Sequence, residues 1–121
     1  MVVRTERGWA GHFVGSSRCG FRRNTLLECG DTRVVVSTVG MYQPREGEFE
    51  SIGSENRCFE TMAFHAERLG NRYWDADVMR QIGFSSPWSI HEMDADDRAN
   101  DMHEAVVAEL TARLESGEVP A

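Results

Sequence analysis

FRRNTLLECGDTRVVVSTVG, residues 21–40, decides the fold. It holds two runs of strand-forming residues, 25–29 and 32–39, separated by Gly30 and Asp31. A two-residue loop containing glycine closes a hairpin readily, because glycine accepts the positive φ that such turns need. The second run carries Val34, Val35, Val36, Thr38 and Val39. So many β-branched side chains on both sides of one strand predict a central strand buried on two faces. Arg22, Arg23, Asn24 and Thr25 lead into the first run and place two guanidinium groups, a carboxamide and a hydroxyl at its entrance. Such a cluster either solvates the strand end or forms a preorganised anion site on the most rigid element.

Outward from the hairpin, the 121 residues suffice for one domain, 1–121, with a core of its own. No run approaches the roughly 18 apolar residues of a membrane span. The N-terminus, MVVRTERGW, has charges where a signal peptide places its apolar segment, which predicts a cytoplasmic protein. Cys19, Cys29 and Cys58 lack CxxC spacing and are odd in number, so they read as reduced and structural. His12 and Cys19 are close in sequence, but nothing nearby completes a metal site, and neither metal nor cofactor is expected.

Charge is distributed unevenly. Residues 1–60 hold eight Arg and eight acids, whereas 61–121 hold five Arg and twelve acids and supply the whole net charge of −7. The acidic half would repel a nucleic-acid duplex, which disfavours general binding through a basic face, and no long nucleic acid is expected as a partner. All thirteen basic residues are Arg, so every cation is a planar fork able to grip phosphate or stack on a base.

In chain order, residues 4–8 read as an exposed lead and 9–14 as a first strand. Residues 40–56 contain Pro44 and three glycines and read as a long surface connection, with a short strand near 49–52. FETMAFHA, 59–66, alternates as a strand, and Gly70 with Asn71 turns the chain. Residues 73–78 and 83–90 read as the least regular part, since Pro87 interrupts them. Tyr73, Trp74, Phe84 and Trp88 concentrate aromatics there, either capping the sheet or forming a stacking surface. The last segment is a helix. Asp94 is its expected N-cap, Ala99, Met102, Val106, Leu110 and Leu114 its apolar stripe, and Gly117 its terminator. Asn100, His103 and Val107 lie beside that stripe as surface groups or as the wall of a cleft or interface. The expected fold is α+β: a mainly antiparallel sheet packed by one C-terminal α-helix.

The common signatures of hydrolases, zincins, phosphate loops and dinucleotide folds are absent, so no catalytic residue is expected. Asp75 with Asp77, and Glu92 with Asp94, pair carboxylates at same-face strand spacing, which also describes a solvated edge.

Five blocks in order, VSTVGMYQP, FETMAFHA, YWDADV, PWSI and ANDMHEAVVAEL, give the chain a resemblance from about residue 8 to 114. It resembles small phage and prophage sponges of the first-described Thoeris anti-defense family. The resemblance implies a non-catalytic, homo-oligomeric protein in the host-cell cytoplasm. Such a protein sequesters a nucleotide immune signal, a cyclic ADP-ribose isomer, without cleaving it, and relatives also bind cyclic oligonucleotides at separate sites. It further implies Phe84 as the adenine-stacking aromatic, Arg57 and Arg113 as phosphate contacts, and Asn100 as a polar contact near the helix start. Arg22, Arg23, Asn24 and Thr25 would suit the second nucleotide site. Glu109 stands where a further Arg is expected. Two other classes fit the residues: an acidic protein-binding inhibitor of a host defence complex, and a small nucleotide hydrolase using Asp75 and Asp77.

Overall fold

A computed structural model describes residues 1–8, 11–12, 15–53, 55–70 and 73–119. Within these, the expected hairpin is the centre of one antiparallel sheet, formed by β2 (Cys19–Cys29) and β3 (Thr32–Arg45). Gly30 takes φ +58° in the two-residue turn, and Cys29 pairs with Thr32, Leu27 with Val34 and Thr25 with Val36. β1 (Val3–Glu6) adds to the outer side of β2, and β5 (Phe59–Leu69) pairs with the other side of β3. β4 (Glu48–Glu50) pairs with the far end of β3. β6 (Tyr73–Ile82) and β7 (Ser89–Ile90) share the outer side of β5, opposite residues 63–69 and 59–60 respectively.

α1 (Asp96–Glu115) lies across one face of the sheet against β2, β3 and β5. Ala99, Met102, Val106, Leu110 and Leu114 are all buried, as their spacing predicts. They meet two apolar patches, one including Leu27, Val34, Val36 and Ala63, the other Phe21, Met41 and Phe59. Val34, Val35, Val36 and Val39 are wholly buried on a two-sided strand, because the opposite face is covered too. There Leu26, Val35 and Ala66 pack with Trp74 and Ala76, and Gly11 and His12, from the segment between β1 and β2, lie against Val39 and Ser37. His12 of that segment bonds to Ser37 and stacks obliquely on Phe64.

Several expectations change. β2 begins at Cys19, so Arg22 to Thr25 are mid-strand, not at an entrance. The first strand is Val3–Glu6, read from sequence as a lead. Gly11 and His12 are not in a strand, and the rest of the 9–14 expectation lies outside the described residues, as do Asn71, Arg72 and Pro120. β3 continues through Pro44, which falls beyond the last β2 partner, Tyr42, and inside a register shift against β4. A proline is tolerated there because no ladder hydrogen bond needs its missing N–H. Residues 73–82, read from sequence as irregular as far as 78, form an edge strand with Trp74 and Ala76 packed on the sheet, but its ladder is interrupted: Ala76 pairs with Ala66 and Gln81 with Phe64, so 77–80 bulge out opposite His65. The helix begins one residue later than Asp94 would cap it: Ala95 is the N-cap, without a side-chain bond, and Asp94 sits at φ +53°.

Candidate functional site

β6 ends at Ile82 opposite Ala63, and β7 resumes at Ser89 opposite Glu60. Between them GFSSPW, residues 83–88, leaves the sheet because Pro87 cannot donate to a ladder. The loop is anchored at both ends. Thr61 N–H donates to the Trp88 carbonyl (2.8 Å), and Arg113 donates from Nη1 to the Gly83 carbonyl (2.7 Å). Glu109 holds its middle by accepting the amides of Ser85 (2.7 Å) and Ser86 (2.9 Å) and the Ser86 hydroxyl (2.7 Å). Burial works against ionisation of Glu109, but these donors prevail and lower its pKa.

The departure opens a cleft of about 320 Å³, bordered by Arg57, Glu60, Thr61, Gln81, Phe84 and Trp88. Arg57 lies over the Trp88 ring, 4.8 Å from its centroid. The same guanidinium is 3.4 Å from Glu60 and donates to the Ile52 carbonyl at 3.3 Å. Glu60 Oε1 accepts from His12 Nε2 at 2.8 Å. Phe84 packs partly against the helix-side core. Sequence-predicted Arg57 and Phe84 therefore share one cleft, and Arg113 supports its loop. Asn100 does not join them; it is exposed near the start of α1 and does not line the cleft.

Arg22, Arg23, Asn24 and Thr25 alternate between the two faces of β2, so they do not converge on one point. Asn24 and Thr25 are buried. Asn24 Oδ1 accepts from Arg7 at 2.8 Å on one face. On the other, Arg23 is ion-paired to Glu6 (2.8 Å) and Glu104 (2.8 Å), and Glu104 also accepts from Arg4. Hydrogen bonding to Arg4, with Arg23 adding to it, carries the Glu104 carboxyl down to about 2.

His103, read from sequence as lying beside the stripe, is fully buried beneath the helix. Thr25 donates to Glu6 (2.7 Å), so its oxygen accepts from His103 Nε2 (2.7 Å). His103 Nδ1 then accepts from Thr38 (2.7 Å), whose oxygen accepts from Thr61 (2.6 Å). One carboxylate thereby sets the direction of every bond along the chain. Burial, with Arg23 nearby, pushes the His103 pKa down to about 4 and keeps the ring neutral.

Two other arrangements resemble catalytic sites. Ser37 Oγ, His12 and Glu60 form a serine–histidine–carboxylate chain with bonds of 2.9 and 2.8 Å. A nucleophile must reach its substrate, and Ser37 is fully buried in the central strand, with its oxygen also accepting the His12 amide at 3.1 Å. The chain pins the segment between β1 and β2 to the sheet. Asp75 and Asp77 accept the nearby amides of Ala76 and Met79, which shapes the edge strand locally. Among the described residues no three His, Cys, Asp or Glu side chains are grouped to hold a metal. The three cysteines are free thiols, and burial raises the Cys19 thiol to about 11, which makes it unreactive.

A larger but shallower depression, about 600 Å³, lies at the other end of the sheet. Glu46, Asp94 and Asp96 border it with a single cation, Arg18, which already bonds to the Gln43 carbonyl. Its acidity disfavours an anionic ligand, and the aromatic-lined cleft is the better candidate.

Comparison with protein-family models, curated proteins and solved structures finds no match.

Proposed function

We propose that this chain binds and sequesters a small nucleotide signal in the Arg57–Phe84–Trp88 cleft without cleaving it. The sequence resemblance names a cyclic ADP-ribose isomer as the signal and the host-cell cytoplasm as the place of action. The observation that carries the reading is the convergence of Arg57 and Phe84, 27 residues apart in the chain, on one cleft that Trp88 also walls. A π face, a guanidinium and polar side chains suit a nucleotide, and stacking of a base requires no catalytic group. A second site for cyclic oligonucleotides at Arg22 to Thr25 would have to open the Arg23 ion pairs with Glu6 and Glu104. We propose a homo-oligomer as well: Val78 and Met79 stand exposed on β6, at the edge of the sheet.

Calorimetric titration of a cyclic ADP-ribose isomer into wild type and Phe84→Ala tests the site. Removing the stacking ring is expected to cost about 1–3 kcal/mol of binding. Arg113→Ala should also weaken binding, because the loop that carries Phe84 loses its anchor at Gly83. Undiminished affinity in folded Phe84→Ala protein would reject the cleft as the binding site.

A further inference from the structure

We infer that the cleft recognises the nucleoside part of its ligand, with the vicinal diol of a ribose on the Glu60 carboxylate and the phosphate left outside. This rests on the nucleotide binding proposed above and assigns Glu60 a role as the residue that selects the sugar.

The charges at the cleft are already balanced. Arg57 faces Glu60 at 3.4 Å, and Arg113 faces Glu109 at 3.9 Å. Of these only Arg57 and Glu60 line the cleft, so a phosphate drawn inside would meet the Glu60 carboxylate and would have to compete with it for Arg57. A neutral hydrogen-bond donor meets no such cost.

Glu60 supplies the complementary acceptor. Its side chain is only 12 % exposed yet borders the cleft, and His12 and Arg57 fix it from either side. An ionised carboxylate accepts only, with about four lone-pair sites over its two oxygens, so two adjacent hydroxyl groups are natural partners. An acidic side chain on ribose hydroxyls is a recurring solution in dinucleotide-binding folds. The aromatic walls, Phe84 and Trp88, offer π faces to a base. The volume, about 320 Å³, lies at the low end of small-molecule pockets, suited to one nucleoside unit rather than to a whole cyclic oligonucleotide.

Trp88 borders the cleft and reports its occupancy. Protein labelled with 5-fluorotryptophan gives fluorine resonances for Trp9, Trp74 and Trp88, and Trp88→Phe identifies the one of interest. The probes are adenosine, 2′,3′-dideoxyadenosine and adenosine 5′-monophosphate, with a cyclic ADP-ribose isomer in parallel. Adenosine and the monophosphate should shift the Trp88 signal with similar affinity, and the dideoxynucleoside should bind about tenfold or more weakly. Glu60→Gln should remove most of that discrimination. The wild-type comparison needs no mutant, so it stands even where Glu60→Gln perturbs the fold. Equal binding of adenosine and its dideoxy form overturns the diol assignment while nucleotide binding stands. So does a monophosphate that binds about tenfold tighter than adenosine, or a cyclic ADP-ribose isomer that binds while adenosine does not. No response to any of the four overturns the binding reading and this inference together.

Discussion

His103 is fully buried between two threonine hydroxyls, and the fold therefore depends on its neutrality. The unfolded ring titrates near 6.5 and the folded one near 4, so the unfolded state binds the extra proton first as pH falls. The contribution is complete above about pH 6.5 and disappears progressively towards pH 4, a loss of roughly 3 kcal/mol. The Arg4–Glu104 pair titrates lower: the depressed Glu104 carboxyl contributes above its unfolded value of 4.5 and loses that contribution towards pH 2. Because the Glu104 side chain is 45% exposed, solvent screening makes its contribution the smaller one. Urea denaturation of wild type and His103→Gln at steps between pH 7 and 4 checks this. The variant should be less stable at pH 7 and should show a shallower decline between pH 6.5 and 4; parallel declines would contradict it. Thr38→Val should destabilise by about 1–3 kcal/mol, because it removes the donor to His103 and the acceptor for Thr61. A melting temperature unchanged in Thr38→Val would show that the buried chain contributes little.

Among the elements, the hairpin and the helix were legible because each had a local cause. Gly30 at a two-residue turn, β-branched residues on both sides of β3, and a 3.6-residue stripe in α1 all act over short distances. β6 was illegible for a physical reason. The disruption signalled by Gly83 and Pro87 belongs to the loop after the strand, while Trp74 and Ala76 pack the first half of β6 on the sheet and the bulge at 77–80 breaks the alternation that would have marked one continuous strand. At the cleft, Arg57 and Phe84 entered through resemblance, and Trp88 through aromatic clustering. Glu60 read as one more alternating strand residue, because its partner His12 lies 48 positions away. Arg57 three residues before Glu60 was the one local hint of a paired charge. Gly40 shows how elements fix one another. It pairs with Phe59, whose ring covers it so closely that an added Cβ would lie 2.0 Å from Cδ2, while Phe21 meets the same ring edge-on at 5.6 Å. Gly40→Ala should therefore force Phe59 off its position and cost about 1–3 kcal/mol, measured by thermal or chemical melting. A neutral Gly40→Ala would mean that Phe59 repacks freely.

At the scale of the molecule, the sheet is covered by α1 on one face, while Gly11, His12, Trp74 and Ala76 pack on the other. One concave space is left where β6 gives way to β7. The acidic excess of the C-terminal half lies partly in the helix, whose first turn holds Asp96 and Asp97, matching the helix dipole. Arg113, in its last turn, anchors the cleft loop instead of standing in solvent. Light scattering at micromolar concentration tests the proposed homo-oligomer, for which a mass above 13.7 kDa is expected; a monomeric mass would remove it.

Sequestration without cleavage is the central claim, and uptake followed by release measures it most directly. Wild-type protein is incubated with a cyclic ADP-ribose isomer, freed of unbound ligand, heat-denatured, and the released material is weighed by mass spectrometry. The account predicts release of the isomer at unchanged mass, and much less of it from Phe84→Ala. Release at an altered mass would make the protein an enzyme, and no uptake by folded protein would contradict nucleotide binding altogether.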